Sequence, residues 1–209
     1  ALQHRGEESC GIATGDNSKV YVHTGMGHVS DVFGDAETLE RLTGHLAIGH
    51  NRYSTTGLDT PTNAQPFTAE CRGSFAVAHN GNLVNTGDLR RSMQEDGAIF
   101  QTSSDSELIL HLIARSSADG IVGRVTEALQ QIRGAFSLAL ATERHLIAAR
   151  DPHGFRPLCL GQLGDAWVIA SESCALDIIS ARYIRDIEPG ELVIVDENGL
   201  RTYFPLESD

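Results

Sequence analysis

Apolar positions along the chain follow two periods, and the dominant period changes twice. Short apolar runs predict four strands in the first part of the chain, at residues 9–14, 19–23, 46–48 and 74–78. Apolar residues at helical spacing predict helices at residues 35–42, 88–94, 107–114 and 121–132. From residue 135 the short runs return and predict six strands and one short helix, at residues 136–140, 145–149, 158–160, 167–170, 174–179, 191–195 and 200–203. This order predicts one α+β domain over residues 1–209, with sheets packed together and helices outside.

Polar clusters stand where two predicted strands end and where one predicted helix begins. They contain Arg52, Tyr53 and Thr55; Asn80 and Gly81; and Ser104 and Asp105. An arginine binds a carboxylate through two parallel hydrogen bonds, and a carboxylate binds an ammonium group. Arg52 and Asp105 would therefore suit the two charged ends of an amino acid. The alternatives are a surface ion pair for Arg52 and a helix N-cap for Asp105.

The Asn80-Gly81 pair follows an apolar strand and has two interpretations. Asn-Gly is the strongest short signal for a hairpin turn. A carboxamide and an unhindered glycine N–H at a sheet edge are also donors that would stabilise a developing negative oxygen, as an oxyanion hole does. The pair alone favours the hairpin turn, and the motifs elsewhere in the chain favour the oxyanion hole.

Charge and hydropathy disfavour several classes of partner. The 209 residues carry a formal net charge of −12, and Lys19 is the only lysine. An acidic chain is a poor nonspecific binder of nucleic acid or of anionic membranes. No apolar run is long enough to span a bilayer, and the chain does not begin with a secretory signal pattern. We therefore expect a cytoplasmic protein that binds neither nucleic acid nor membrane.

The spacing of cysteines and histidines predicts no metal centre. Cys10, Cys71, Cys159 and Cys174 are scattered and form no Cys-x-x-Cys pair, so reduced thiols are expected. The nine histidines lack the His-x-x-x-His and His-Glu-x-x-His patterns of metal enzymes. We expect no cofactor bound by this chain.

Seven multi-residue motifs occur in an order that is typical of one family, at residues 1–9, 49–57, 63–67, 79–83, 104–107, 150–158 and 171–173. Over nearly the whole chain they resemble the glutaminase domain, a class II glutamine amidotransferase domain, of the amidophosphoribosyltransferases. The run Gln3-His4-Arg5-Gly6 and the run Asp151-Pro152-His153-Gly154-Phe155 favour this group over the glucosamine-phosphate synthases, which share the other clusters.

The resemblance implies a four-layer αββα sandwich, the N-terminal-nucleophile hydrolase fold. It also implies that Arg52 binds the α-carboxylate of glutamine with help from Thr55, and that Asp105 binds the α-amino group. By the same resemblance, Asn80 and the Gly81 N–H form the oxyanion hole.

Three further residues receive roles from the resemblance. Arg5 and Gly6 would lie beside the nucleophile, and Tyr53 would begin a loop, ending at Pro66, that closes over the substrate.

The nucleophile of this family is an N-terminal cysteine whose free α-amine, with a pKa near ~8, acts as general base. This chain begins with Ala1, so we expect the nucleophile strand and most of the first helix to be missing. Cys10 is no substitute, because it follows the Gln3 motif and, as an interior residue, has no free α-amine; a buried strand position is expected for it. The chain as given is therefore expected to keep its glutamine-recognition residues but to be catalytically inactive.

For the parent enzyme, the resemblance implies transfer of ammonia from glutamine to phosphoribosyl pyrophosphate, which makes 5-phosphoribosylamine in the first step of purine biosynthesis. The phosphoribosyltransferase domain, which would use Mg²⁺, has no counterpart in these 209 residues. A homo-oligomer is expected for the full-length protein, and some relatives carry an iron–sulfur cluster, for which this chain offers no ligand pattern. Two alternatives stay open: a non-catalytic module that binds glutamine or glutamate, and a glutaminase domain of the glucosamine-phosphate synthase type.

Overall fold

The computed structural model of the chain describes residues 2–53 and 60–206. Within these residues, twelve strands form three antiparallel sheets. The six-stranded sheet contains, in spatial order, β12 (Gly199–Tyr203), β11 (Leu192–Asp196), β7 (Leu146–Arg150), β6 (Gly134–Thr142), β5 (Ser74–Leu83) and β4 (Phe67–Glu70). The first three-stranded sheet has the order β2 (Val20–Met26), β1 (Ser9–Gly15), β3 (Leu46–Arg52). The second has the order β10 (Arg182–Asp186), β8 (Cys159–Leu163), β9 (Ala166–Ala170).

The same residues contain six α-helices: α1 (Val29–Val32), α2 (Ala36–Glu40), α3 (Thr86–Glu95), α4 (Glu107–Arg115), α5 (Gly120–Gln131) and α6 (Cys174–Ile178). Short 3₁₀ turns occupy Gln3–Arg5 and Pro61–Asn63. None of the helices in the described ranges is long and apolar enough to cross a membrane.

The two faces of the six-stranded sheet are covered by different layers, because side chains alternate along each strand. Phe75 and Val77 of β5 belong to the large core that α4 and α5 close from one side. Ala76 and Ala78 belong to the opposite face, where they pack against Ala13 of β1. Side chains this small let the two sheets approach closely.

The second three-stranded sheet covers the other half of this face. Val193 of β11 packs there against Leu160 of β8. On the outer side of the three-stranded sheets, Leu176 of α6 packs against the second sheet, and Val32 of α1 lies against Gly25 of β2. The layers are therefore, in order, the helices α4 and α5, the six-stranded sheet, the two three-stranded sheets and the helices α1 and α6. The predicted α+β sandwich is confirmed.

Most predicted elements are confirmed, but three elements were not predicted: α1, β4 and β10. The strand β10 carries Arg182, Arg185 and Asp186, and such a polar sequence is typical of an edge strand, which needs no apolar alternation. Several predicted strands are also longer than expected; among them, β3 continues to Arg52 and β5 continues to Leu83.

Candidate active site

A cavity of about 180 Å³ opens between β3 and β9, with β5 and β6 as its floor. Among the described residues, β3 pairs only with β1 and β9 pairs only with β8, so the cavity lies between two open strand edges. Residues from six parts of the chain form its walls, among them Arg5, His50, Tyr53, Asn80, Gly81, Ser137 and Ser171.

Asn80 and Gly81 lie inside β5 and do not form a hairpin turn. Asn80 is opposite Ser137, Gly81 is opposite Phe136, and the pairing with β6 continues without a break to Leu83. The hairpin interpretation and the predicted strand end at residue 78 are therefore wrong. The pairing strand β6 begins at Gly134, which gives β5 a partner along its whole length.

Position 81 requires glycine because the main chain of β6 approaches it closely. Gly81 has φ +156°, and a Cβ atom there would lie 2.0 Å from the oxygen of Ala135. Asn80 shares a strand face with Ala78 and Ala76, the face that looks toward the cavity. Asn80 and Gly81 thus both line the cavity floor, and their role as an oxyanion hole stays a prediction.

A buried polar network supports this segment from behind. Gln65 lies just before the first residue of β4. Its side-chain oxygen accepts a hydrogen bond from the His79 N–H over 2.7 Å. His79 Nδ1 and Gln65 Nε2 lie 2.9 Å and 3.3 Å from Ser106 Oγ, and Ser106 Oγ–H donates to Asp105 Oδ1 over 3.2 Å. The single hydroxyl proton and two lone pairs of Ser106 are thereby all used. Burial lowers the pKa of His79, and the Asp105 carboxylate acts in the opposite direction.

Asp105 holds the end of β5 and does not cap a helix. Its Oδ2 accepts the Leu83 N–H over 3.0 Å. The helix α4 begins at Glu107, with Ser106 as its N-cap residue, so the N-cap interpretation of Asp105 is wrong. Asp105 is not among the described residues that line the cavity.

Arg52 is the last residue of β3, and its side chain is only 8% exposed. Its Nη1 lies 3.9 Å from Oε2 of Glu8. The surface ion-pair interpretation is therefore wrong, because an arginine at a surface pair would be exposed. Gly6 packs on the same strand end: a Cβ at position 6 would lie 2.3 Å from the Arg52 oxygen, so no larger residue fits.

Three predicted site residues remain: Arg5, Tyr53 and Thr55. Arg5 lines the cavity and donates to Ser171 Oγ over 3.1 Å. Tyr53 also lines the cavity and is 70% exposed. Thr55 lies outside the described residues.

No cysteine of the described residues lines this cavity. Cys10 is buried in β1, as predicted, and burial raises the pKa of its thiol. A thiol that is buried and protonated in this way cannot attack a substrate in the cavity.

His50 is a cavity residue to which the sequence assigned no role. It belongs to β3 and lies in the wall of the cavity. Burial lowers the pKa of its imidazole to about 4, so the ring is neutral at physiological pH. Gln65 and Ser106 also carry no predicted role, although each lies inside one of the sequence motifs. Their functions depend on contacts between distant parts of the chain, which no local pattern reveals.

Comparisons with known proteins show which family the chain belongs to. A family model described as a glutamine amidotransferase domain matches residues 50–177. Amidophosphoribosyltransferase 2 of Arabidopsis thaliana chloroplasts is 51% identical over 204 residues, which are 96% of this chain and 36% of the relative. The Bacillus subtilis amidophosphoribosyltransferase is 44% identical, over 97% of this chain and 43% of the relative.

Among solved structures, the B. subtilis glutamine phosphoribosylpyrophosphate amidotransferase in complex with ADP and GMP matches 99% of this chain with a TM-score of 0.93 and 41% identity. This chain covers 45% of that structure. A class II glutamine aminotransferase domain protein of Silicibacter pomeroyi shares the fold, with a TM-score of 0.65 at 16% identity. The chain thus spans less than half the length of the amidophosphoribosyltransferases it matches.

Proposed function

Since this chain belongs to the glutamine amidotransferase domain family, we propose that it is the glutamine-hydrolysing domain of an amidophosphoribosyltransferase. The observation that carries the proposal is the Asn80-Gly81 segment, held inside β5 at the floor of a cavity by a buried network. The identity of about half over almost the whole chain supports the specific enzyme class.

In the proposed reaction, a thiolate attacks the side-chain amide carbon of glutamine. The carbonyl oxygen becomes negative and is stabilised by the Asn80 carboxamide and the Gly81 N–H. The carbon–nitrogen bond then breaks, and the nitrogen leaves as ammonia after it takes up a proton. Water hydrolyses the resulting thioester to glutamate and regenerates the thiol.

We propose that the thiol comes from outside the described residues. The gap between β3 and β9 is bordered by strand edges that are unpaired among the described residues, so a further strand could pair there. A strand that carries an N-terminal cysteine and fills this gap would place its thiol and α-amine next to Asn80. The 209-residue chain by itself would bind glutamine without releasing ammonia, because no cysteine of residues 2–53 and 60–206 reaches the cavity.

The substrate's charged ends are assigned to residues near the cavity. Arg52, at the end of β3, would bind the α-carboxylate, because a guanidinium can form two parallel hydrogen bonds to a carboxylate. Asp105 would bind the α-amino group. Thr55 would help Arg52 to bind the carboxylate, Tyr53 would contribute from the position directly after β3, and Arg5 and Gly6 would border the nucleophile.

The remaining properties of the parent enzyme stay proposals at the same level. They are transfer of the ammonia to phosphoribosyl pyrophosphate by a separate Mg²⁺-dependent domain, a role in purine biosynthesis, homo-oligomer formation and a cytoplasmic location. The plant relatives are named as chloroplast proteins, so the compartment depends on the organism.

A glutamine-binding module without chemistry is the second candidate. The observation that favours it is the lack of a cavity cysteine in the described part of the chain. The glucosamine-phosphate synthase type receives no such support, because the reported relatives are amidophosphoribosyltransferases.

Calorimetric titration with glutamine tests the proposed site. The chain should bind glutamine, Arg52→Ala should abolish binding, and Arg41→Ala should not, because Arg41 is 75% exposed in a surface pair with Glu37. Loss of binding in both variants would contradict the assignment of Arg52.

Ammonia release, measured on the chain and on the full product of its gene, separates the two candidate functions. Activity of the full product with an inactive 209-residue chain supports the enzyme domain. Binding without activity in both supports the module.

A further inference from the structure

A group of three side chains that could bind a metal ion lies outside the proposed glutamine site. His4 Nε2 is 2.9 Å from Glu172 Oε2, and Cys174 Sγ is 3.4 Å from the same oxygen. The three donor atoms all lie within 4.8 Å of one another. The local spacing of histidines and cysteines predicts no metal site, but this group joins positions 168 residues apart, which spacing cannot reveal.

We propose that His4, Glu172 and Cys174 bind one Zn²⁺ ion. Zinc binds imidazole nitrogen, carboxylate oxygen and thiolate sulfur at roughly 2.0–2.3 Å, so neighbouring ligand atoms of a tetrahedral site lie roughly 3–4 Å apart. The two distances to Glu172 Oε2, 2.9 Å from His4 and 3.4 Å from Cys174, are close to this range. Three protein ligands leave the fourth position for water.

The combination of donors selects against the common hard cations. Mg²⁺ and Ca²⁺ take oxygen ligands almost exclusively, whereas a thiolate together with an imidazole favours zinc and its chemical neighbours. Zinc binds the thiolate form of cysteine, so the Cys174 proton would pass to solvent on binding.

The surroundings orient the carboxylate for this role. Arg5 Nη1 binds the other oxygen of Glu172, Oε1, over 2.9 Å, and Arg5 also donates to Ser171 Oγ. The first contact leaves Oε2 facing His4 and Cys174, as outer hydrogen-bond partners commonly do for metal ligands. His4 is 57% exposed and Glu172 is 33% exposed, so an ion has an open path from solvent.

The ion would link the N-terminal 3₁₀ turn to the start of α6, two elements that are far apart in the sequence. His4 belongs to the 3₁₀ turn Gln3–Arg5, and Cys174 is the first residue of α6. Arg5 and Ser171 next to them line the wall of the cavity. Bound zinc would therefore fix the position of this wall while touching none of the proposed substrate-binding atoms.

Calorimetric titration of the chelator-treated chain with Zn²⁺ tests the proposal. We expect saturable binding of one ion. Cys174→Ser and His4→Ala should each weaken binding roughly tenfold or more, since even outer partners of a metal contribute about 10–100-fold. Cys71→Ser is the matched control, because Cys71 is also half-buried but its thiol contacts the Ala114 oxygen. Circular dichroism of each variant checks that the fold is retained.

The absorption spectrum of bound Co²⁺ reports specifically on coordination by a thiolate. The Co²⁺ complex of the chain and of Cys71→Ser should show a thiolate-to-metal charge-transfer absorption, which Cys174→Ser should lack. The proposal is overturned if the folded chain does not bind Zn²⁺, if Cys174→Ser binds it as tightly as the parent, or if Cys71→Ser loses the absorption equally.

Discussion

The Nε2–H of His50 donates a hydrogen bond to the main-chain oxygen of His79 over 3.0 Å. A carbonyl oxygen only accepts, so the contact fixes the tautomer of His50 with its proton on Nε2. The acceptor belongs to the peptide unit that leads directly into Asn80. Strand β3 therefore restrains the proposed oxyanion-hole segment of β5 through one neutral imidazole.

The burial of His50 predicts a loss of stability in acid. The pKa of His50 is about 4 in the folded chain, against an ordinary value of 6.5, because burial disfavours the charged ring. Between these pH values the unfolded chain binds a proton that the folded chain does not. The free energy of unfolding should therefore fall as pH drops from 6.5 toward 4, by roughly 2–3 kcal/mol from this residue.

Urea unfolding at several pH values measures this effect. His50→Gln keeps an N–H donor but does not titrate, so its free energy of unfolding should fall less over the same window. His153→Gln serves as the control, since His153 is exposed. Parallel pH dependence in the parent chain and in His50→Gln would show that His50 does not contribute.

Gly81→Ala should destabilise the chain by about 3 kcal/mol or more, because its Cβ would overlap the Ala135 oxygen and force two paired strands apart. Gly87→Ala is the matched control. No atom lies within 4 Å of a Cβ at position 87 in α3, so this change should be neutral or slightly stabilising. Thermal unfolding of both variants makes the comparison, and equal melting temperatures would contradict the close approach at Gly81.

Asn80→Ala should lower kcat for glutamine hydrolysis by the full gene product by about 10²–10³, with a small change in KM. The reason is that an oxyanion-hole donor contacts the charge that develops during the reaction and has little to bind in the ground state. Asn198→Ala, at an exposed position in the turn between β11 and β12, should leave both constants unchanged. A rise in KM with unchanged kcat would instead place Asn80 in ground-state binding.

The sequence predicts the layers better than it predicts the site, for physical reasons. The apolar runs of β5 and β6 and the helical apolar spacing of α4 and α5 reflect burial, and each pattern is visible within its own segment of the sequence. The Asn80-Gly81 pair was ambiguous because its conformation depends on β6, about fifty residues later. Gln65 and Ser106 were overlooked for the same reason, since a side chain that contacts a distant main chain leaves no periodic signal. The family motifs identified the site region, but the network that supports it became visible only in three dimensions.

Asp105→Asn should weaken glutamine binding about tenfold or more, because a charge-assisted hydrogen bond to the substrate ammonium contributes roughly 1.5–3 kcal/mol. The asparagine oxygen can still accept the Leu83 N–H, so the end of β5 should stay in place. Asp88→Asn is the control, because Asp88 is 90% exposed and pairs with Arg91 at the surface. Calorimetry with glutamine compares the two, and unchanged affinity in Asp105→Asn would remove Asp105 from the proposed site.

Asp151→Asn should destabilise the fold without changing a residue that lines the cavity. The Asp151 carboxylate is completely buried and accepts main-chain N–H groups from Phe136, His153, Phe155 and Arg156. An asparagine replaces one acceptor oxygen by an NH₂ group that faces donors, so at least one of these bonds becomes repulsive.

The expected loss is about 2–3 kcal/mol, the cost of leaving buried polar groups unsatisfied. Chemical denaturation of Asp151→Asn and of Asp165→Asn, whose side chain is exposed, measures it. The loop that Asp151 organises leads to Pro157, whose oxygen accepts the Ser137 hydroxyl at the cavity floor. If Asp151→Asn were as stable as Asp165→Asn, the Asp151-Pro152-His153 motif would have to be explained by contacts outside this domain, because its main hydrogen bonds within the described residues would then contribute nothing.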